Sequence, residues 1–186
     1  SLMLKFLITL LILNLYLPAF SSVKEKIISK MLLTNNLSFD FIQTINDKNE
    51  KGKCIIKYPR KIFCEYKNSN KKIIISNGKS LIIKNRISGN SYVYPLNKTP
   101  LGFLLDKDYL ISKISNLKPR DINNKYINFK IIENNNTINI FFNKSDFSLI
   151  GWQTEDIYQN LTITYISSIK INQKIDNNIF ILSQKD

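Results

Sequence analysis

The only thiols in the chain are Cys54 and Cys64, set symmetrically about Pro59. If strands meet in a tight hairpin at that proline, the two side chains sit nearly opposite each other on one face, with their Cβ atoms near bonding range. Two outcomes stay open: a disulfide, which an oxidising compartment permits, or a pair of buried thiols. The nearest things to paired carboxylates are Glu155-Asp156 and Asp106 with Asp108. Adjacent strand residues point to opposite faces and both pairs abut turns, so they read as solvated loop acids, not an acid and base pair. The chain has no histidine. That removes Ser-His-Asp and Cys-His triads, histidine-based zinc and iron sites, and the usual general base near neutral pH. Two cysteines cannot form a four-thiolate site, and 5 Gly leave no glycine-rich phosphate cradle. No metal and no cofactor are expected, and binding is favoured over catalysis. Trp152, Tyr158 and Tyr165 near lysines could stack bases, but core packing accounts for them and no nucleic-acid partner is expected.

A chain of 186 residues with 44% hydrophobic content can bury one sizeable core, which predicts a single domain and a monomer. Its 27 Lys and Arg against 14 Asp and Glu give a formal charge of +13. About 30 Ile and about 24 Asn accompany that charge, the signature of A/T-rich codons, so much of it reads as compositional. Attraction to an anionic surface is a secondary use.

The N-terminal residues read as a targeting segment. Ser1-Leu2 ahead of Met3 looks like an expression remnant. Lys5, the apolar run Phe6 to Leu17 and Pro18-Ala19-Phe20-Ser21 follow the pattern of a secretory signal peptide over residues 1–21, leaving 22–186 as one exported domain. No cysteine follows the cleavage site, so no lipid anchor is expected there. Ser22-Val23-Lys24-Glu25 forms a capping box for a short amphipathic helix to about Leu33.

Beyond Asn36 the pattern turns to short β-rich runs between turn residues: Ser38 to Asn46, Gly52 to Tyr58, Ile62 to Lys67, Lys72 to Ser76, Leu81 to Lys84 and Ser91 to Leu96. Asn77-Gly78 predicts a type I′ hairpin. Thr99 can cap a helix that begins at Pro100, with Leu101, Leu104 and Leu105 on one face. Tyr109 to Leu117 fits either helix or strand. Strand signals resume at Tyr126 to Ile132, Thr137 to Phe142, Ser148 to Thr154, Leu161 to Ile171 and Asn178 to Leu182. The expected fold is mainly β (α+β), a meander of about 11 strands that curls into a barrel or half-barrel with the Pro100 helix at its mouth.

At this point the chain resembles the LolA family of periplasmic lipoprotein carriers. The resemblance is carried by Phe39-Asp40-Phe41-Ile42-Gln43, Gly52 through Lys57-Tyr58-Pro59, Glu65-Tyr66, Ser76-Asn77-Gly78-Lys79-Ser80-Leu81, Thr99-Pro100-Leu101, Asp156-Ile157-Tyr158-Gln159 and Ile179-Phe180-Ile181, in that order. It implies a strongly curved, unclosed antiparallel barrel whose helices cover an apolar cavity for acyl chains. It also implies acylated lipoproteins as cargo, received from an inner-membrane ABC transporter and passed to an outer-membrane receptor or directly to the outer membrane. Strand alternation and the resemblance together nominate Ile56, Tyr58, Ile62, Cys64, Ile74, Leu81, Ile83, Tyr92, Tyr94 and Trp152 as cavity lining, with Pro100, Leu101, Leu104 and Leu105 as the lid. Two departures stand out. Where the family often has an arginine that holds the lid, this chain has Tyr58, with Arg60 just beyond; where it often has tryptophan before Glu-Tyr, this chain has Cys64. The alternative function is a periplasmic lipid or lipoprotein sensor, or an anionic-surface-binding protein, on the same half-barrel.

Overall fold

The computed structural model describes residues 22–68, 70–155 and 160–182. The expected signal segment lies outside the described residues, as does the 156–159 motif. Helix α1 (Val23–Leu33) starts where the capping box places it: Ser22 accepts from the Glu25 amide and the Glu25 carboxylate accepts from the Ser22 amide. Strands β1 (Asn36–Ile45), β2 (Lys48–Lys57), β3 (Lys61–Tyr66), β4 (Lys72–Asn77), β5 (Ser80–Asn85) and β6 (Ser91–Pro95) follow. A 3-10 turn (Leu96–Lys98) leads into α2 (Pro100–Leu104) and α3 (Lys107–Ser115). The undecided Tyr109 segment is therefore helical, started by Asp106, whose side chain accepts from the Tyr109 amide. Then come β7 (Arg120–Ile122), β8 (Tyr126–Glu133), β9 (Asn136–Asn143), β10 (Leu149–Glu155) and β11 (Leu161–Ile171).

The strands form one antiparallel sheet in the order β6-β5-β4-β3-β2-β1-β11-β10-β9-β8-β7. This corrects the expectation of one continuous meander. There are two meanders, β1 to β6 and β7 to β11, joined where the last strand returns beside the first, with Phe41 opposite Ile166. The expected C-terminal strand is a 3-10 turn (Asn177–Phe180), nucleated by the Asp176 side chain on the Asn178 amide and resting on β3 and β4 with Phe180 buried. The Asn77-Gly78 hairpin forms, but only Gly78 has positive φ (104°), so it is not the type I′ turn that the dipeptide predicted. The turns with two successive left-handed residues are Asn46-Asp47, Asn123-Asn124 and Asn134-Asn135. Five of these six residues are asparagine, which tolerates the left-handed conformation better than most residues.

Because β6 and β7 are opposite edges of the sheet, the chain between them must cross the opening. That crossing carries α2 and α3, so topology alone sets the short helices over the mouth. One core cluster lies among β1, β2 and β3 around Phe39, Ile56 and Ile62. The other packs Ile27 of α1 and Leu110 and Ile114 of α3 on Phe129, Ile138 and Ile140 of β8 and β9. Leu101, Leu149 and Trp152 pack against both.

Candidate functional site

The inner face is built by cross-strand rows. Leu37, Ile56, Ile62, Ser76, Leu81 and Tyr94 are successive partners across β1 to β6, and Phe39, Cys54, Cys64, Ile74, Ile83 and Tyr92 form the next row. Each row runs from a buried centre to an open edge: Leu37 and Phe39 are each 3% exposed, whereas Tyr94 is 44% and Tyr92 61% exposed. The face assignment from alternation therefore holds at β6, but the helices do not extend over it. Tyr92 and Tyr94 line neither of the two cavities beneath the helices, and neither do Ile83 or Leu81, the latter buried in the core.

Two β-bulges adjust the far side. In β10 the register shifts between Leu149 and Gly151, so Leu149 and Trp152, three residues apart, both reach the core clusters that α2 separates. In β1 and β11 the shift falls between Ser38 and Asp40, opposite Ser168, whose φ is 53°. It brings Ile169 and Ile171 to the same cavity as Trp152. Trp152 pairs with Thr164 and Gly151 with Tyr165. Trp152 thus faces inward while Tyr165, 52% exposed, faces out, and the two make no shared stacking platform.

Under the helices lie two largely apolar cavities, the smaller of which has a polar side formed by Gln43, Thr162 and Thr164. The larger, about 420 Å³, is bounded by Met31 of α1, Ile56 and Tyr58, Leu104, Leu105 and Leu110, and by Phe142 and Leu149. The smaller, about 300 Å³, lies over Phe39, Phe41, Ile62, Cys64, Tyr66 and Ile74, with Pro100 at its rim. Leu101, Leu104 and Trp152 border both, so α2 and one indole form the partition between them. Of the residues nominated from sequence, Ile56, Tyr58, Leu101, Leu104, Leu105 and Trp152 meet in the first cavity. Ile62, Cys64, Ile74, Pro100, Leu101, Leu104 and Trp152 meet in the second. Phe39, Phe41, Met31, Phe142 and Leu149 were not nominated. Alternation along β1 could have found the two phenylalanines; the bulge that admits Leu149 leaves no local sign.

Cys54 and Cys64 form a disulfide on the inner face, with Cα atoms 4.1 Å apart. Beside it Phe41 stacks edge-on to Tyr66 at 4.8 Å between centroids and lies over Gly52, where a Cβ would fall 2.2 Å from the Glu65 carbonyl oxygen and 2.7 Å from the Phe41 ring. Only glycine leaves room for that carbonyl and that ring. The Tyr66 hydroxyl donates to the Gln43 side chain, and burial, reinforced by the Glu50 charge, pushes its ionisation well above the ordinary phenol value.

The lid is tied down at the β2–β3 turn, which contains a cis Tyr58-Pro59 bond. The Arg60 amide donates to the Leu105 carbonyl at 2.9 Å, and the Arg60 guanidinium pairs with Asp106 at 2.5 Å. Ser76, fully buried, donates to the Arg60 carbonyl at 2.9 Å and fixes the turn from below. Asp106 is thus a structural anchor between α2 and α3 and not the solvated loop acid that its sequence context suggested. The charge expected before the proline stands two residues later and grips the end of α2. Among the described residues, no group of three or more metal-binding side chains gathers, and no helix is long and apolar enough to cross a membrane.

A lidded, unclosed antiparallel half-barrel with an apolar interior is the class that these elements define. A family model described as outer membrane lipoprotein carrier protein LolA matches residues 33–183, and the chain belongs to the LolA family. No curated protein matches. Among solved structures, the chain is similar to an uncharacterised conserved protein from Thermus thermophilus (TM-score 0.53, 7% identity, covering 87% of this chain and 93% of that one). It is also similar to a DUF1329 family protein from Desulfovibrio piger (TM-score 0.50, 6% identity, 86% and 95% covered). A LolA superfamily protein from Nitrosomonas europaea aligns at a TM-score of 0.48 with 8% identity, over 86% of this chain and 96% of that one. At such identities the first two show a shared fold.

Proposed function

We propose that residues 22–186 are a single-domain periplasmic carrier, exported by a signal peptide over residues 1–21, that shelters the acyl chains of lipoproteins. In this reading it receives them from an inner-membrane ABC transporter and delivers them to the outer membrane or a receptor there. The observation that carries the proposal is the pair of apolar cavities divided only by Leu101, Leu104 and Trp152 beneath a helix held at one end by Arg60. Burying a methylene is worth about 0.8 kcal/mol, so several acyl chains exposed to water would cost tens of kcal/mol. A carrier must take up and release them without an aqueous intermediate, which needs apolar volume and a movable cover. Nothing in that task requires proton transfer, in keeping with a chain that has no histidine.

The test is to purify the chain from the periplasm of its own cells and identify co-purifying acylated species by mass spectrometry. Acylated protein N-termini in stoichiometric amount are expected. Recovery of no lipid-bearing species would overturn the carrier reading.

A further inference from the structure

The larger cavity is lined mainly by apolar side chains, but Tyr58 and Lys107 lie together on one side of it, and Lys30, whose ammonium donates to the Asp146 carbonyl, is a second lining cation. Lys107 opens α3, and its ammonium lies 5.5 Å from the centroid of the Tyr58 ring. Its neighbours are backbone carbonyls, Thr34 at 2.9 Å and Leu32 at 3.5 Å, and among the described residues no carboxylate lies within salt-bridge distance of it. Of the nearby acids, Asp106 is engaged by Arg60 and the Tyr109 amide, and Asp146 by both the amide and hydroxyl of Ser148, while Asp108, the next residue in the chain, forms no ion pair with Lys107. The Tyr58 hydroxyl has no hydrogen-bond partner among the described residues, and burial pushes its ionisation up to about 12, so it is a neutral donor at physiological pH. A cation without a counter-ion and a phenol without an acceptor therefore stand at the mouth of an apolar pocket.

We infer that this cavity binds an amphiphile with an anionic head, its tail among Met31, Leu104, Leu110 and Phe142 and its carboxylate or phosphate oxygens at Lys107 and the Tyr58 hydroxyl. The inference rests on the reading of the cavity as an acyl-chain site and adds a preference for an anionic head to it. The amide, esters and thioether of an acylated protein N-terminus are uncharged and would leave this pair unused. A charge-assisted hydrogen bond at a partly desolvated site is about twice as strong as a neutral one, enough to set a preference among ligands with identical tails.

The experiment is displacement of a neutral apolar fluorescent probe from the delipidated whole chain by laurate, methyl laurate and dodecyl phosphate. Laurate is expected to compete about tenfold better than its methyl ester. The substitution Lys107→Met should bring the two within about twofold, with an unchanged far-ultraviolet circular dichroism spectrum reporting that the variant is folded, and Lys107→Arg should keep the preference. Stronger competition by dodecyl phosphate than by laurate assigns the head to a phospholipid, and the reverse assigns it to a fatty acid; both support the inference. Equal competition by laurate and methyl laurate in the unsubstituted chain, or a preference that survives Lys107→Met, overturns the anionic-head inference and leaves the acyl-chain reading standing. Failure of every ligand to displace the probe overturns both.

Discussion

Arg60 shows how much one residue can do from an exposed position. Its side chain is 52% exposed and that of Asp106 20%, so the ion pair contributes only about 0.2–1 kcal/mol to stability. Its importance is positional, because Asp106 also starts α3 and the Arg60 amide holds the carbonyl of Leu105 at the end of α2. Substituting Arg60→Ala should therefore lower the melting temperature by no more than a few degrees. It should also speed exchange of a bound apolar probe several-fold, measured by stopped-flow fluorescence. Unchanged exchange would show that the pair does not restrain the lid. The sequence placed a cation near the proline but could not show its partner, because Arg60 and Asp106 meet only across the mouth, 46 positions apart in the chain. The disulfide was legible as a geometric option from the symmetry of Cys54 and Cys64 about Pro59; β2 and β3 pair in the register that the symmetry implied, and the two sulfurs are bonded.

Among the elements, α2 is short and held by close backbone contact. A Cβ on Gly102 would lie 2.4 Å from the Leu96 carbonyl oxygen, so the helix and the preceding 3-10 turn approach too closely at this point for any residue but glycine. The substitution Gly102→Ala must push them apart, at a cost of about 1–3 kcal/mol. A thermal melt should show that loss, together with easier probe entry to both cavities, since Leu101 and Leu104 ride on the same helix. An unshifted melt and unchanged entry would mean that α2 is not seated through this contact. The start of α2 was readable because Thr99 and Pro100 are local signals; the Thr99 hydroxyl accepts from the Gly102 amide as that pattern requires. The inward turn of Leu149 with Trp152 was not readable, because a bulge depends on what the neighbouring strand does and not on the bulged residues.

For the whole molecule, pH dependence follows from groups distributed through the fold. Hydrogen bonds from Tyr109 to Glu133 and from Ser148 to Asp146 hold those carboxyls below their usual range, and the Lys144 hydrogen bond does the same for Asp121. Carboxyls depressed in the folded state stabilise it above their unfolded values near 4, and that contribution is lost as the pH falls through the folded ones. Burial raises Tyr58, Tyr66 and Tyr109, so their contribution is complete below the unfolded phenol value near 10 and is lost as the pH climbs above it, for Tyr58 through about 12. Urea titrations should show a plateau from about pH 5 to 9 with losses on both sides, and Tyr58→Phe should remove part of the alkaline loss only. A loss of equal size in that variant would place Tyr58 in water. What the sequence determined by itself was everything encoded locally or by period: the capping box at Ser22, the Pro100 helix, the alternating strands, and the exclusion of histidine chemistry. Tertiary structure alone decided the return of β11 beside β1, the partition of the interior by Trp152 and Leu101, and the pairing of Arg60 with Asp106. It also left Tyr92 and Tyr94 uncovered on an otherwise correctly assigned face. Alternation fixes which way a side chain points, whereas burial depends on what the rest of the chain lays over it, and here the helices cross the mouth without reaching the last strand.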